Sequence, residues 1–386
     1  MGKQMLTLSG KVINIKKEEY SRQVLSLSTN PSIPKPLRSQ KALLMKEGIE
    51  YAEGFKHYLI YDDNPYKLPS DVNHTILPSN FDYLDDEDVV AIGGHDRIRS
   101  IYRSKSNHNT FLVTERCDNY CLMCSQPPKD VDDRWLLEES IDATRLIPRS
   151  ATAIGITGGE PTLYGKDFIR LIQHLKNWLP DTAIQVLSNG RAFSRIEFAK
   201  EYADVDHKDI MIGIPVYSND AARHDYVVQA KGAFDETIRG ILNLKKFNQR
   251  VEIRVVIHKQ TYEGLADLAE YIARNLLFVD QVALMGLEMM GFTRANIDSL
   301  WIDPTEYRDQ LSKAVQILSS YGLNVLVYNH QLCLINKDVE PNYVKSISDW
   351  KNEYAPECDG CKRKSECGGF FASGVKFRYS SHIKPF

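Results

Sequence analysis

The chain has 386 residues, 43% of them hydrophobic and 26% charged, with a formal net charge of -3. That length holds two or three domains and a large core, and the composition is that of ordinary soluble globular proteins. A near-neutral balance gives no reason to expect nucleic acid or an anionic membrane as partner, and no apolar run approaches the ~20 residues of a membrane span. The opening Met-Gly-Lys-Gln-Met-Leu-Thr-Leu-Ser-Gly has no long apolar core after its lysine, and Leu6 stands where myristoylation wants Ser or Thr. A cytoplasmic location is therefore expected.

Residues 1–106 read as a β-rich region of unknown role. Strand candidates are 6–15, 58–61 and 89–92, the last running into a Gly93-Gly94 turn after the acidic stretch 82–88. His57 and His95 are isolated and read as structural. From residue 107 strands and helices alternate. Strand candidates are 111–114, 153–157, 183–187, 210–215, 251–257 and 282–285. Between them Phe168, Leu171, Ile172, Leu175 and Leu179 share one helical face, as do Ile238, Ile241 and Leu242, and Leu265, Leu268, Ala269 and Ile272. Six βα units in series predict a parallel sheet with helices outside, either open or curved into a partial barrel. A linker, 286–301, carries Met289, Met290 and Phe292. A helix follows from about Pro304 to Tyr321, with its proline just inside the start, then a strand at 323–328 and a cysteine-bearing tail. The expected domains are 1–106, 107–300 and 301–386.

Seven cysteines cannot all pair as disulfides, and they divide into a triplet, Cys117, Cys121 and Cys124, and a quartet, Cys333, Cys358, Cys361 and Cys367. The triplet has the spacing C-x3-C-x2-C just after a strand candidate. Three converging thiolates can hold a cubane iron–sulfur cluster with one iron left free of protein; a zinc site with a fourth ligand is the alternative. Four thiolates can close a second cluster or an all-cysteine zinc site. Gly158-Gly159 follows the next strand candidate, where the absence of Cβ atoms lets backbone approach a ligand; a plain strand-to-helix turn is the other reading.

The triplet followed by Gly158-Gly159-Glu160-Pro161 resembles the radical S-adenosylmethionine (SAM) superfamily, over roughly residues 107–375. The resemblance implies a partial (β/α)6 TIM-like barrel, here after the β-rich region read from residues 1–106, with an auxiliary iron–sulfur domain behind it. It implies a [4Fe-4S] cluster on Cys117, Cys121 and Cys124 whose free iron is chelated by SAM. Reductive cleavage of SAM then yields methionine and a 5′-deoxyadenosyl radical that abstracts a hydrogen atom. Chemistry in such barrels sits at the C-terminal strand ends, where Cys117, Gly158–Glu160, Ser188–Gly190 and Ser218 all fall. By resemblance Met123 takes the place of an aromatic residue near the SAM adenine, and a thioether can pack on an aromatic face. Gly158 and Gly159 would bond the SAM amino group, with Glu160 beside them. Ser188-Asn189-Gly190 resembles a Thr-Asn-Gly segment near the ribose, although Asn-Gly is also a turn signal. Ser218 and Arg254 are candidates for the SAM carboxylate, Arg254 because a guanidinium can bind it in bidentate fashion; a surface position is the alternative. No residue stands out as a catalytic acid or base. The strip of glycines predicts that Gly159→Val weakens SAM binding while both clusters still assemble.

The quartet, with Cys358-x2-Cys361-x5-Cys367, resembles the auxiliary (twitch/SPASM-like) domain of peptide-modifying members and implies a second [4Fe-4S] cluster. Cys-Leu-Met-Cys-Ser-Gln-Pro-Pro-Lys, Leu-Met-Gly-Leu-Glu-Met-Met-Gly-Phe, Ser348-Asp349-Trp350-Lys351-Asn352 and Cys-Gly-Gly-Phe-Phe at 367–371 resemble maturases of His-Xaa-Ser peptide systems. That resemblance implies a ribosomally made precursor peptide with His-Xaa-Ser repeats as substrate and an oxidative cross-link as product. It also implies a second radical SAM maturase as partner, and an electron donor such as flavodoxin or ferredoxin. The alternatives are a non-catalytic iron–sulfur partner that presents substrate, and a radical SAM enzyme acting on a small molecule or nucleoside.

Overall fold

The computed structural model describes residues 8–15, 22–64, 66–69, 71–93, 96–345 and 352–386. The features expected at positions 6, 7, 94, 95 and 348–351 lie outside them. The chain falls into two compact units. One comprises Met1–Val113, Arg134–Gly155 and Arg170–Ala183, the other Thr114–Asp133, Ile156–Ile169 and Ile184–Phe386.

In the first unit eight short strands form one sheet: β1 (Ser9–Lys11), β2 (Ile13–Ile15), β3 (Gln23–Ser28), β4 (Lys41–Met45), β5 (His57–Tyr61), β6 (His74–Leu77), β7 (Val89–Gly93) and β8 (Arg97–Tyr102), with the one-turn helix α1 (Lys35–Arg38) before β4. Their order is β1-β8-β7-β3-β4-β5-β6-β2. β3 to β6 pair in parallel and the remaining neighbours antiparallel. Val12 alone separates β1 from β2, yet these two strands occupy opposite ends of the order. The stretch 9–15 therefore bonds both ends of the strand order, and among the described residues it closes the sheet. Alternation sends Ala42, Leu44 and Leu59 to one core with Leu25, Leu27 and Val90, while Leu43, Met45, Tyr58 and Ile60 pack into a second core on the other face. The structural reading of His57 holds: it is buried, and its ring Nε2 lies 2.8 Å from Thr75 Oγ1, which donates to Asn14. The helix α2 (Arg134–Thr144) adds Glu139, a buried carboxylate bridging Arg22 at 2.7 Å and Arg99.

The second sheet has the order β15-β14-β13-β12-β11-β10-β9, built from β9 (Asn109–Leu112), β10 (Ala153–Thr157), β11 (Ala183–Leu187), β12 (Ile210–Pro215), β13 (Arg250–Ile257), β14 (Gln281–Gly286) and β15 (Val325–Tyr328). β11 to β15 pair in parallel, so the architecture is the expected mixed α/β one with a parallel sheet. β10, β11 and β12 match the sequence expectation residue for residue. β15, the strand expected at 323–328, joins this sheet as a seventh strand bonded to β14. The helices here are α3 (Lys166–Trp178), α4 (Ile196–Asp204), α5 (Ala221–Val228), α6 (Ala233–Lys246), α7 (Leu265–Asn275), α8 (Phe292–Ala295), α9 (Ile297–Leu300), α10 (Pro304–Ser320) and α11 (Ala372–Phe377). α7 buries Leu265, Leu268, Ala269 and Ile272 as its periodicity predicts. On α6 the buried stripe is Thr237, Gly240, Ile241 and Leu244, spaced by three and four residues. Leu242 lies off that stripe and is 47% exposed, against expectation. α10 starts on a capping box in which Asp303 accepts from the Thr305 N–H at 3.0 Å. No helix among the described residues is long and apolar enough to cross a membrane.

Candidate active site

Cys117, Cys121 and Cys124 lie on one loop beyond β9, as partly buried free thiols. The loop is anchored at its start by Asp133, which accepts from Thr114 Oγ1 at 3.0 Å, from the Glu115 N–H and from the Tyr164 hydroxyl. The N–H groups of Tyr120 and Leu122 donate to the carbonyls of Val228 and Val227 at 3.0 and 2.9 Å, docking the loop on the end of α5. Arg191 donates to the Asp118 carbonyl at 2.9 Å and to Asn119 Oδ1 at 2.7 Å, and Asn189 Nδ2 donates to Asp118 Oδ1 at 2.7 Å.

The segment 286–301, expected to be a linker, is the fourth side of this clamp. Asn296 Nδ2 donates to the Leu122 carbonyl at 2.9 Å, Thr293 Oγ1 to that of Met123 at 3.2 Å, and the Phe292 N–H to that of Cys124 at 2.8 Å. Gly291 has φ +53°, and a Cβ there would stand 2.3 Å from the Cys124 carbonyl oxygen. A glycine is required at that point because backbone meets backbone. Of these partners only Phe292 was noted in the sequence, and without a role. Each sits about 170 positions from the cysteines, so only the fold brings them together; the one signal was Gly291 inside the Met-Met-Gly-Phe string.

The chemistry of the triplet suits a cationic cluster. Burial pushes all three thiols up, Cys121 to about 12, and their ionised forms repel: Cys121 feels Cys124 and Asp118, and Cys117 feels Glu160 and Asp118. Thiolates crowded this way need metal charge to exist. The Asn119 N–H already points at Cys117 Sγ, 3.4 Å away. Among the described residues no group of three or more His, Cys, Asp or Glu side chains is arranged to hold a single metal ion. In a cubane each thiolate binds a different iron.

Gly158 and Gly159 lie where the cysteine loop approaches the backbone closely. A Cβ on Gly158 would lie 2.5 Å from the Thr114 carbonyl oxygen, and one on Gly159 2.0 Å from that of Arg116 and 3.0 Å from Cys117 Cβ. The N–H groups of Gly159 and Glu160 donate to those same carbonyls at 2.9 and 2.7 Å. Glu160 is 1% exposed and turned into the protein. Its carboxylate accepts from the Thr162 N–H at 3.0 Å, Thr162 Oγ1 at 2.5 Å, Ser188 Oγ at 2.9 Å and the Asn189 N–H at 2.6 Å. Burial raises its pKa, and the four donors oppose that rise. The carboxylate thus joins the C-terminal ends of β10 and β11, and Ser188, Asn189 and Glu160 form one connected group with the cysteine loop through Asp118.

The other candidates are more dispersed. The Met123 side chain is 7% exposed and packs with Tyr217, Val227 and Leu300. Ser218 Oγ accepts from the Asp220 N–H at 3.1 Å, ahead of α5. Arg254, on β13, is ion-paired to Glu252 at 2.6 Å and touches Met285 Sδ at 3.2 Å; it is partly buried. Two buried histidines flank Tyr217, with ring centroids 5.9 Å away for His224 and 6.3 Å for His258. Burial pushes both down to about 4, so they are neutral at ordinary pH. They went unremarked as a pair in the sequence because their contact with Tyr217 is tertiary.

Cys333, Cys358, Cys361 and Cys367 line one small cavity with Leu332, Tyr354 and Phe386. Backbone N–H groups already aim at two of the sulfurs: Gly369 at Cys367 Sγ, 3.3 Å, and Phe386 at Cys361 Sγ, 3.5 Å. The structure therefore gathers the quartet as it gathers the triplet.

Comparison with known proteins follows the same lines. Residues 111–272 match the model of the radical SAM superfamily. A curated protein of Methanocella arvoryzae, named probable GTP 3′,8-cyclase, is 27% identical over 193 residues, which are 49% of this chain and 60% of that protein. The chain thus spans 60% of the length of this curated relative. Among solved structures, Streptococcus suis SuiB bound to precursor peptide SuiA aligns at 17% identity and a TM-score of 0.47, over 60% of this chain and 50% of that one. Native anSMEcpe with bound AdoMet aligns at 13% identity and a TM-score of 0.49, over 72% of this chain and 92% of that one.

Proposed function

We propose that the radical SAM domain at residues 111–272 makes this chain an oxidoreductase that cleaves SAM reductively and cross-links a ribosomally made precursor peptide. The observation that carries the proposal is the juxtaposition of a clamped, open cysteine triplet with the strand-end group Gly158–Glu160, Ser188 and Asn189. In this reading Cys117, Cys121 and Cys124 hold a [4Fe-4S] cluster, and Cys333, Cys358, Cys361 and Cys367 hold a second. Bound, the first cluster and SAM supply a one-electron cleavage that generates a hydrogen-abstracting radical. The chain's own residues position these groups. Because the N–H groups of Gly159 and Glu160 are spent, the strip offers carbonyl acceptors, which is what an ammonium such as the SAM amino group requires. Glu160 and Ser188 spend their side chains on each other and act as positioning residues. Asn189 ties that group to the loop through Asp118. Ser218 and Arg254 are the proposed contacts for the SAM carboxylate, and Met123 holds the loop in the apolar cluster around Tyr217. The domains proposed are 1–106, 107–300 and 301–386, the last carrying the second cluster. The partners proposed are the precursor peptide, a second maturase and a flavodoxin-like or ferredoxin-like donor, and the compartment is the reducing cytoplasm, where thiolate clusters assemble.

The test is mass spectrometry of a synthetic peptide with His-Xaa-Ser repeats after anaerobic incubation with the reconstituted protein, its partner maturase, SAM and reductant. An oxidative cross-link should leave the peptide about two mass units lighter per event. An unchanged mass, with SAM being cleaved, contradicts peptide cross-linking. Replacing Cys358 and Cys361 is expected to stop the mass change but leave uncoupled SAM cleavage, because separate ligand sets hold the two clusters; folding of the variant is checked first, since metal loss can unfold a metal-stapled region. Full peptide modification by the folded double variant contradicts a required second cluster. A second reading, a nucleotide substrate, is favoured by the likeness to a probable GTP 3′,8-cyclase. It predicts consumption of GTP under the same conditions with the peptide untouched.

A further inference from the structure

We infer that a cavity at the C-terminal ends of β13, β14 and β15 binds a carboxylate of the substrate peptide through Arg378 and Asn329. The inference rests on the peptide reading above, but it is measured by binding rather than turnover. Ile257 and Gly286, the last residues of β13 and β14, and Asn329, the residue after β15, all border the cavity. Ligands of parallel β/α barrels sit on this rim. The cavity volume is about 60 Å³. By the measure in which one water takes ~10–15 Å³, that is space for about four waters. A short side chain fits.

Arg378 supplies the charge. Its guanidinium lies 4.1 Å over the Trp301 ring, and the indole face fixes the plane of the fork. The carboxylate paired with it, Asp298, is 3.9 Å away with its side chain 98% exposed, an interaction of little strength. The guanidinium makes no hydrogen bond to another described residue, and neither does the side-chain amide of Asn329. Three other polar groups on the walls are engaged. The Tyr307 hydroxyl is 2.9 Å from His330 Nε2, Ser380 Oγ donates to Asp303, and Gln331 Nε2 donates to the Gly369 carbonyl. The unspent guanidinium, cationic and pre-oriented, and the Asn329 amide remain against apolar walls that include Met289. That set recognises a carboxylate; a cationic or apolar side chain would leave the donors without acceptors. Met289 also fixes the position relative to the cysteine loop. Gly291, two residues on, abuts the Cys124 carbonyl, so a carboxylate seated here holds its peptide beside the triplet. The carboxylate can come from an Asp or Glu side chain or from the end of the peptide.

The test is isothermal titration of the reconstituted full chain with three synthetic peptides. The first is N-acetyl-Gly-Glu-Phe-Gly-amide, the second its glutamine counterpart, and the third the glutamine peptide with a free C-terminal carboxylate. The first or the third is expected to bind about tenfold more tightly than the second, and which of them does so identifies the source. Arg378→Gln should erase the difference. Asn329→Asp should erase it too by repulsion; Asn329 has φ +60°, a conformation aspartate tolerates, so this variant keeps the fold. Equal binding of all three peptides, no binding by any, or a preference that survives in both folded variants overturns the inference. Because SAM cleavage takes no part in the titration, loss of the preference is distinguishable from failure of the radical SAM reading.

Discussion

Gly159→Val is expected to strip the triplet cluster from the chain. A Cβ at this position stands 2.0 Å from the Arg116 carbonyl oxygen, 2.4 Å from its carbon and 3.0 Å from Cys117 Cβ. Contacts that short cannot persist, and the obstacle is backbone, so the cysteine loop itself must move. The two hydrogen bonds that pin the loop to the end of β10, Gly159 N–H to Thr114 and Glu160 N–H to Arg116, are lost with it. Iron after anaerobic reconstitution should fall from about eight per chain to about four, and SAM cleavage should vanish. This differs from the expectation the glycine pair raises by itself, namely weaker SAM binding with both clusters intact. The close contact makes the difference: the atoms nearest the missing Cβ positions belong to the cysteine loop, so a larger side chain moves that loop first. A full complement of iron in the valine variant would restore the earlier expectation.

Glu160→Gln is expected to destabilise the protein by about 3 kcal/mol. The carboxylate is buried and takes four donors on two oxygens. An amide keeps one acceptor oxygen and turns an NH2 toward groups that are themselves donors. Hydrogen bonds to a charged group are each worth about 1.5–3 kcal/mol, and a buried donor left without a partner adds a further cost. Urea unfolding of the metal-loaded protein measures the change. A loss below about 0.5 kcal/mol, the range of an ordinary surface substitution, would show that Glu160 does not hold the ends of β10 and β11 together.

The parts of this molecule that were legible in its sequence are those whose chemistry or periodicity is local. β10, β11 and β12 alternate on the pleat and are bounded by turn residues, and their limits followed directly. The division of the seven cysteines into a triplet on one loop and a quartet around one cavity was legible in their spacing. In the first unit β3, β4, β6 and β8 escaped notice. β4 is apolar on both faces because the closed sheet has a core on each side, so the period of two disappears. β8 pairs with β7 through a register shift between Val89 and Val90, which breaks the alternation a strand is recognised by. The clamp formed by Gly291, Phe292, Thr293 and Asn296 on the cysteine loop is tertiary and left no local trace. Glu160 shows a different limit. Its position marks it as part of the site, but the direction of its side chain is set by Thr162, Ser188 and Asn189 and cannot be read from the motif.

Anaerobically reconstituted protein, reduced with dithionite in the presence of SAM, is expected to release 5′-deoxyadenosine and methionine in equal amounts. The variant with Cys117, Cys121 and Cys124 all changed to alanine should release neither, while keeping about four irons at the quartet. A wild-type chain that carries both clusters and forms no 5′-deoxyadenosine, or a triple variant that forms as much as the wild type, would contradict radical SAM catalysis at these three cysteines.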